Sequence, residues 1–334
     1  MQNLLDPAIL FFVFGVVAGA LRSNLEIPQQ IAKFLSLYLL MALGLKGGFA
    51  LAKSGFGPEV LISLSAAVVM AFVVPLLGYL FLRNRVQNFD AAAIAAAYGS
   101  VSAVTFVTAM QFLENNGLKF GGHMAVAMVL MESPAIIMAV LLANTLRHST
   151  STVTVSGGGT AALGSLSSRG DISIRKILHE SFTDGAHLLL LGSMAVGLIS
   201  GEAGKAVMQP FSGDLFKGML AFFLLDMGLM VARNFRDARN ASAVLLAYAG
   251  LSPLVHAAIA LGLGYALAMS TPDTALLMVL SASASYIVVP AVLRYAIPEA
   301  NPAIYFGLSL GITFPLNILI GIPLYTSIAH QVLG

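Results

Sequence analysis

AAAYGSVSAVTFVTAM, residues 95–110, and VLSASASYIVVPAVLRY, residues 279–295, are the two stretches whose reading decides the fold. Each lies inside a long apolar run and interrupts it with hydroxyls and small residues. The first holds Gly99, Ser100, Ser102, Ala103 and Thr105; the second holds Ser281, Ser283, Ser285 and Tyr286, with Pro290 close behind. Glycine and proline let a helix break. Broken backbone at membrane depth is tolerated only where it is buried in protein or lines a cavity. The pattern predicts two interrupted helices that meet inside the molecule. Half-helix ends would offer N–H groups and positive dipole ends to an anion, and serine and threonine oxygens would accept a cation such as sodium. The same residues also suit close helix packing or bonds to their own backbone. Their matching places in the two halves of the chain favour a binding site.

The surroundings of these stretches are lipid-like. Of 334 residues, 58% are hydrophobic and 10% charged, with mean hydropathy +0.90, against about 25% charged in an ordinary soluble domain. Apolar runs fall near 2–22, 27–45, 58–82, 90–113 and 121–146, then near 181–201, 212–232, 240–268, 274–296 and 302–330. A span takes about 20 such residues. The expected fold is therefore an all-α polytopic membrane protein of about ten transmembrane helices, with the fourth and ninth interrupted. Between the two sets runs HSTSTVTVSGGGTAALGSLSSRGDISIRK, too rich in glycine and serine to build a core. The domain reading is 1–146 for a first five-helix repeat, 147–180 for a flexible linker and 181–334 for a second repeat.

Five is odd, so two like halves would enter the bilayer from opposite faces, as the inverted repeats of secondary transporters do. Pro134 and Pro315 are 181 residues apart, as are Gly47 and Gly228; Pro75 and Pro253 are 178 apart, as are Gly19 and Gly197. Lysine and arginine concentrate on the cytoplasmic side of membrane proteins. With both termini outside and 147–180 inside, twelve of the 17 basic residues are cytoplasmic. The N-terminus lacks the basic region of a cleaved signal, and a multi-pass protein of the cell (inner) membrane is expected.

Ionisable residues inside apolar runs are costly and are functional candidates. Glu132 in MVLMESPAIIM and Asp226 in AFFLLDMGLM could bind sodium, relay a proton or pair with a cation; Lys46 in LGLKGGFA could snorkel to the interface. Glu132 is favoured for function, and Asp226 and Lys46 stay undecided. His123, His187 and His256 are scattered singly and read as structural. There is no cysteine, no phosphate-binding Gly-rich loop ending in Lys-Ser/Thr and no nucleophile–base or metal-ligand constellation, so neither an enzyme nor a nucleotide-driven pump is expected. A net charge of +2 gives nucleic acid no purchase.

YGSVSAVTF (98–106), ESPA (132–135), FLLDMGL (223–229), SASASYIVVPA (281–291), IPEANP (297–302) and LGITFP (310–315) resemble the sodium-dependent bicarbonate transporter family, in order and over nearly the whole chain. The resemblance implies two inverted five-helix repeats, a scaffold part and a moving part, homotrimeric assembly and inward sodium–bicarbonate symport. It implies no cofactor beyond Na+ as coupling ion and, in cyanobacteria, a cytoplasmic inhibitor of the PII type. By position, Ser100, Ser102 and Thr105 fall in the first interruption and Ser283 and Ser285 in the second. The substrate-binding set is then Gly99, Ser100, Ser102, Ala103, Thr105, Ser283, Ser285 and Tyr286, and the ion-coupling set Ser102, Thr105, Glu132 and Ser285. The chain departs from the family where Ser-Gly-Ser-Thr becomes Ser102-Ala103-Val104-Thr105 and where an aspartate becomes Tyr286. Glu132 stands where the family has an aspartate before its fifth-span proline. These departures keep other readings open: another small carboxylate as substrate, proton coupling through Glu132, a channel, or a non-transporting membrane sensor.

Overall fold

The computed structural model describes residues 6–55, 57–153, 185–239 and 241–334, and the described residues are helical without a strand. The first half contains α1 (Pro7–Ala20), α2 (Gln29–Ser54), α3 (Pro58–Leu82), α4 (Asn88–Gly99), α5 (Ala103–Asn115) and α6 (Met124–Val153). The second contains α7 (Gly185–Gln209), α8 (Leu215–Arg239), α9 (Ala243–Ala266), α10 (Thr271–Ala282), α11 (Val288–Ala296), α12 (Pro302–Leu308), α13 (Phe314–Leu316) and α14 (Ile322–Leu333). Wider π turns at Ser309–Thr313 and Asn317–Gly321 join the last three into one continuous rod. Helix α6 runs to Val153; residues 154–184, most of the expected linker, lie outside the described residues.

Sequence-local signals start the helices. Asp6 accepts from the Ala8 N–H at 2.8 Å ahead of Pro7. Ser242, Ser270 and Asn301 cap α9, α10 and α12 in the same way. Each satisfies a backbone donor that the helix leaves unpaired.

Among the described residues, six helical segments are long and apolar enough to cross a membrane. They are fewer than the ten apolar runs because some runs join and others are short. Gly185–Phe235 is a single segment of 51 residues, about 76 Å if straight against a hydrocarbon thickness of about 30 Å. It is not straight: Gly201, at φ +54°, breaks it. Helix α1 has 14 residues, and α10 and α11 have 12 and 9.

The helices pack in two groups. Helix α2 lies along α7, α1 along α8, and α2 also touches α8. Against this layer sits a second body in which α3 packs on α4 and α6, and α10 on α9, α5 and α14. Helix α4, half alanine, is buried on every side from Asp90 to Gly99, as a helix apolar all round must be.

Close approach in the first layer depends on glycine. A Cβ at Gly48 would lie 2.2 Å from the Met194 carbonyl oxygen and 2.9 Å from the Gly197 Cα; one at Gly228 would lie 2.2 Å from the Phe12 carbonyl oxygen and 3.0 Å from the Gly15 Cα. The two crossings are counterparts: Gly48 and Gly228 differ by 180 residues, and Gly15 and Gly197 by 182.

A second matched pair ties the halves together in the other body. The Asp90 carboxylate, in the first turn of α4, accepts the Asn301 N–H at 2.7 Å. The Asp273 carboxylate, in the first turn of α10, accepts the Gly121 N–H, also at 2.7 Å. Both carboxylates are buried. Each belongs to one half and holds a loop of the other.

Gly48→Val and Gly228→Val force backbone apart and are expected to destabilise the folded protein by about 1–3 kcal/mol or more. Gly192→Ala, at a site with nothing within 4 Å, is expected to stay within about 0.5 kcal/mol. Thermal unfolding in detergent measures both. Asp273→Ala leaves the Gly121 N–H unpaired, with an expected cost of about 1–3 kcal/mol, and the same assay checks it.

Candidate functional site

The backbone breaks where the hydroxyl clusters lie. Helix α4 ends at Gly99, residues 100–102 are extended, and α5 begins at Ala103, near the middle of the 28-residue stretch Asn88–Asn115. Helix α10 ends at Ala282, and α11 begins at Val288. A Cβ at Gly99 would strike the Pro75 ring at 2.3 Å, so a glycine lets α4 end tightly against α3.

The two breaks touch each other. The Ser102 N–H donates to the Ser283 hydroxyl oxygen at 3.0 Å. The Ser285 N–H donates to the Ala97 carbonyl at 2.7 Å. Ser283 passes its own proton to the Leu280 carbonyl at 2.8 Å. Backbone groups freed by each interruption are thus satisfied partly by the opposite half, as buried backbone groups must be.

Serines also cap the new helix starts. The Ser102 oxygen accepts from the Thr105 N–H at 3.2 Å and from the Thr105 hydroxyl at 3.0 Å. The Ser285 oxygen accepts from the Val289 N–H at 3.3 Å. A hydroxyl that accepts in this way keeps its own proton to donate. Ser102 and Ser285 therefore remain competent to bind an anion.

Beside the crossing lies a cavity of about 80 Å³, lined by Ser102, Ala103, Glu132, His187, Ser285 and Tyr286 among others. Water occupies about 30 Å³ per molecule in the liquid, so the space suits a solute of a few heavy atoms. The Tyr286 ring packs edge-on against Phe314, with centroids 5.2 Å apart. Its hydroxyl is buried and has no hydrogen-bond partner. Glu132, on α6, is hydrogen-bonded to His187 Nε2, on α7. That contact crosses from one helix group to the other.

The predicted residues divide accordingly. Ser102, Ala103, Glu132, Ser285 and Tyr286 share the cavity wall. Gly99, Ser100, Thr105 and Ser283 stand behind it, shaping the breaks; the Ser100 hydroxyl is buried without a partner. Lys46 pairs with Glu114 at 2.9 Å and lies 4.0 Å over the Phe216 ring, away from the cavity. Asp226 is buried on α8 and is not among the cavity-lining residues. Among the described residues no group of three or more His, Asp or Glu side chains could hold a metal ion.

Sequence reasoning read His187 as structural and missed its pairing, because the acid it meets, Glu132, lies 55 residues away along the chain. It also missed the props of the second break. The Asn317 amide donates to the Ala282 carbonyl at 2.8 Å, capping the end of α10, and accepts from the Tyr325 hydroxyl at 3.0 Å. Thr313 donates to the Ala249 carbonyl and receives the Tyr98 hydroxyl at 2.7 Å. Ser309, Thr313 and Asn317 are all fully buried, and their four-residue spacing in an apolar run was the signal available.

No match to an individual curated protein was found. A family model described as the Na+-dependent bicarbonate transporter superfamily matches residues 7–330, a span that includes both breaks and every residue of the cavity wall. The chain belongs to the Na+-dependent bicarbonate transporter superfamily.

Proposed function

We propose that this protein is a secondary active transporter that carries bicarbonate or a similar small anion inward with sodium, by alternating access. The observation that carries the reading is the cavity where two interrupted helices meet, walled by Ser102, Ser285, Tyr286 and Glu132. The Ser102 and Ser285 hydroxyls and the start of α5 supply donors for the anion. Ser102, Ser285 and Glu132 supply oxygens for sodium, and Thr105 holds the Ser102 hydroxyl from behind.

The halves act as two oppositely inserted five-helix copies, ten spans in all. Support comes from contacts that recur at a near-constant offset: Gly48 on Gly197 against Gly228 on Gly15, and Asp90 with Asn301 against Asp273 with Gly121. The layer of α1, α2, α7 and α8 serves as scaffold, and the body holding the breaks moves against it. Homotrimeric assembly in the cell membrane, with both termini outside and residues 147–180 in the cytoplasm, belongs to the same reading.

The Glu132–His187 contact and Tyr286 favour one second reading, in which a proton replaces sodium. Labelled bicarbonate uptake into proteoliposomes separates the two. Sodium-coupled symport is expected to raise the initial rate several-fold under an inward sodium gradient, whereas a proton-coupled protein responds to the pH gradient instead. Uptake that is flat under both gradients removes the assignment. Glu132→Gln is expected to lower sodium-dependent uptake about tenfold or more, the loss of one charge-assisted contact worth roughly 1.5–3 kcal/mol; unchanged sodium dependence would remove Glu132 from the ion site.

A further inference from the structure

A second, larger cleft lies on the same seam between the two helix groups. It encloses about 240 Å³ and is lined by Asp6 and Ile9 of α1, Thr108, Gln111 and Asn115 of α5, and Ile318. Its polar wall is organised: the Gln111 amide donates to Asn115 Oδ1 at 2.8 Å, and the Asn115 amide donates to Asp6 Oδ2 at 2.9 Å. Gln111 is buried, and its carbonyl oxygen has no hydrogen-bond partner.

The cleft and the central cavity are neighbours along α5. Val104 lines the cavity and Thr108 lines the cleft, and the Thr108 hydroxyl donates to the Val104 carbonyl at 2.8 Å. One helical turn, about 6 Å, separates them. Three aromatic rings run in contact from the cavity wall toward the cleft. Tyr286, in the cavity wall, packs edge-on against Phe314 at 5.2 Å; Phe314 packs edge-on against Phe12 at 5.6 Å. Phe12 is one turn from Ile9, and Phe314 one turn from Ile318, both in the cleft wall. All three aromatic residues are buried, at 1%, 2% and 4% exposure for Phe12, Phe314 and Tyr286. Phe12 belongs to the α1–α8 layer, and the other two belong to the opposite body.

We infer that the cleft is a vestibule for the central cavity and that the Phe12–Phe314–Tyr286 column is the closed gate between them. The vestibule takes a small hydrated solute: its amides and carboxylate replace part of a water shell, while the aromatic column gives such a solute nothing to bond and holds it back. Because the column spans both helix groups, sliding one against the other parts Phe12 from Phe314 and opens the way. Tyr286 then has two tasks, closing the gate with its ring and presenting its hydroxyl to the cavity. The inference rests on the central cavity being the transport site.

The chain has no cysteine, so an introduced thiol reports its own position. The full-length protein carrying Asn116→Cys, in the cleft wall, or Ala103→Cys, in the cavity wall, is reconstituted and treated with a small membrane-impermeant methanethiosulfonate on each membrane face in turn. Asn116→Cys is expected to react quickly from one face, and Ala103→Cys about tenfold or more slowly from that face. Adding Phe314→Ala leaves a cavity in place of the ring and is expected to bring Ala103→Cys close to the Asn116→Cys rate. Two results overturn the gate: fast Ala103→Cys labelling with the rings intact, or an unchanged slow rate in Phe314→Ala while Asn116→Cys still reacts in that background. Should Phe314→Ala fail to insert, seen as lost Asn116→Cys labelling, the milder Phe12→Leu must give the acceleration, and its failure to do so overturns the gate equally. Labelling needs no transported solute, so a failed gate leaves the cargo standing and a failed uptake assay leaves the gate standing.

Discussion

Interrupting a helix inside an apolar body frees backbone N–H and C=O groups that water cannot reach, and the rest of this structure is arranged around satisfying them. An unpaired buried amide costs several kcal/mol in a medium that cannot hydrogen-bond. Here the two breaks relieve one another: the Ser102 N–H finds Ser283, and the Ser285 N–H finds the Ala97 carbonyl. Neither break is stable alone. That mutual need brings residues 181 positions apart into contact and makes one site from two halves.

The supporting structure follows from holding this crossing in place. Asp90 and Asp273 anchor the outer ends of the broken helices to loops of the opposite half. Asn317 caps the end of α10 from the C-terminal rod, and Thr313, one turn before it, bonds Tyr98 of α4 and the Ala249 carbonyl of α9. Glycine contacts between α2 and α7 and between α1 and α8 give the other layer a tightly packed, stiff character.

Chemistry at the seam is sparse and specific. The cavity wall offers hydroxyls that keep a proton to donate, one carboxylate paired to an imidazole, and one phenol without a partner. Replacing an aspartate by Tyr286, relative to the pattern that the sequence resembles, removes a charge and adds a ring, and the ring extends into a column with Phe314 and Phe12.

Much of this was readable in the chain. Hydropathy set the lipid environment, and Gly99, Pro290 and the serine clusters marked the two breaks, because small and hydroxyl residues inside an apolar run have few other uses. What the chain could not express was adjacency across the fold. That Glu132 meets His187, that Asp90 and Asp273 are clasps, that Thr105 and Ser283 stand behind the wall while Tyr286 forms it, and that the rings of Tyr286, Phe314 and Phe12 touch in turn all depend on how helices far apart in sequence pack. A hydrophobic pattern specifies which face of a helix is buried; only packing decides which neighbour it is buried against.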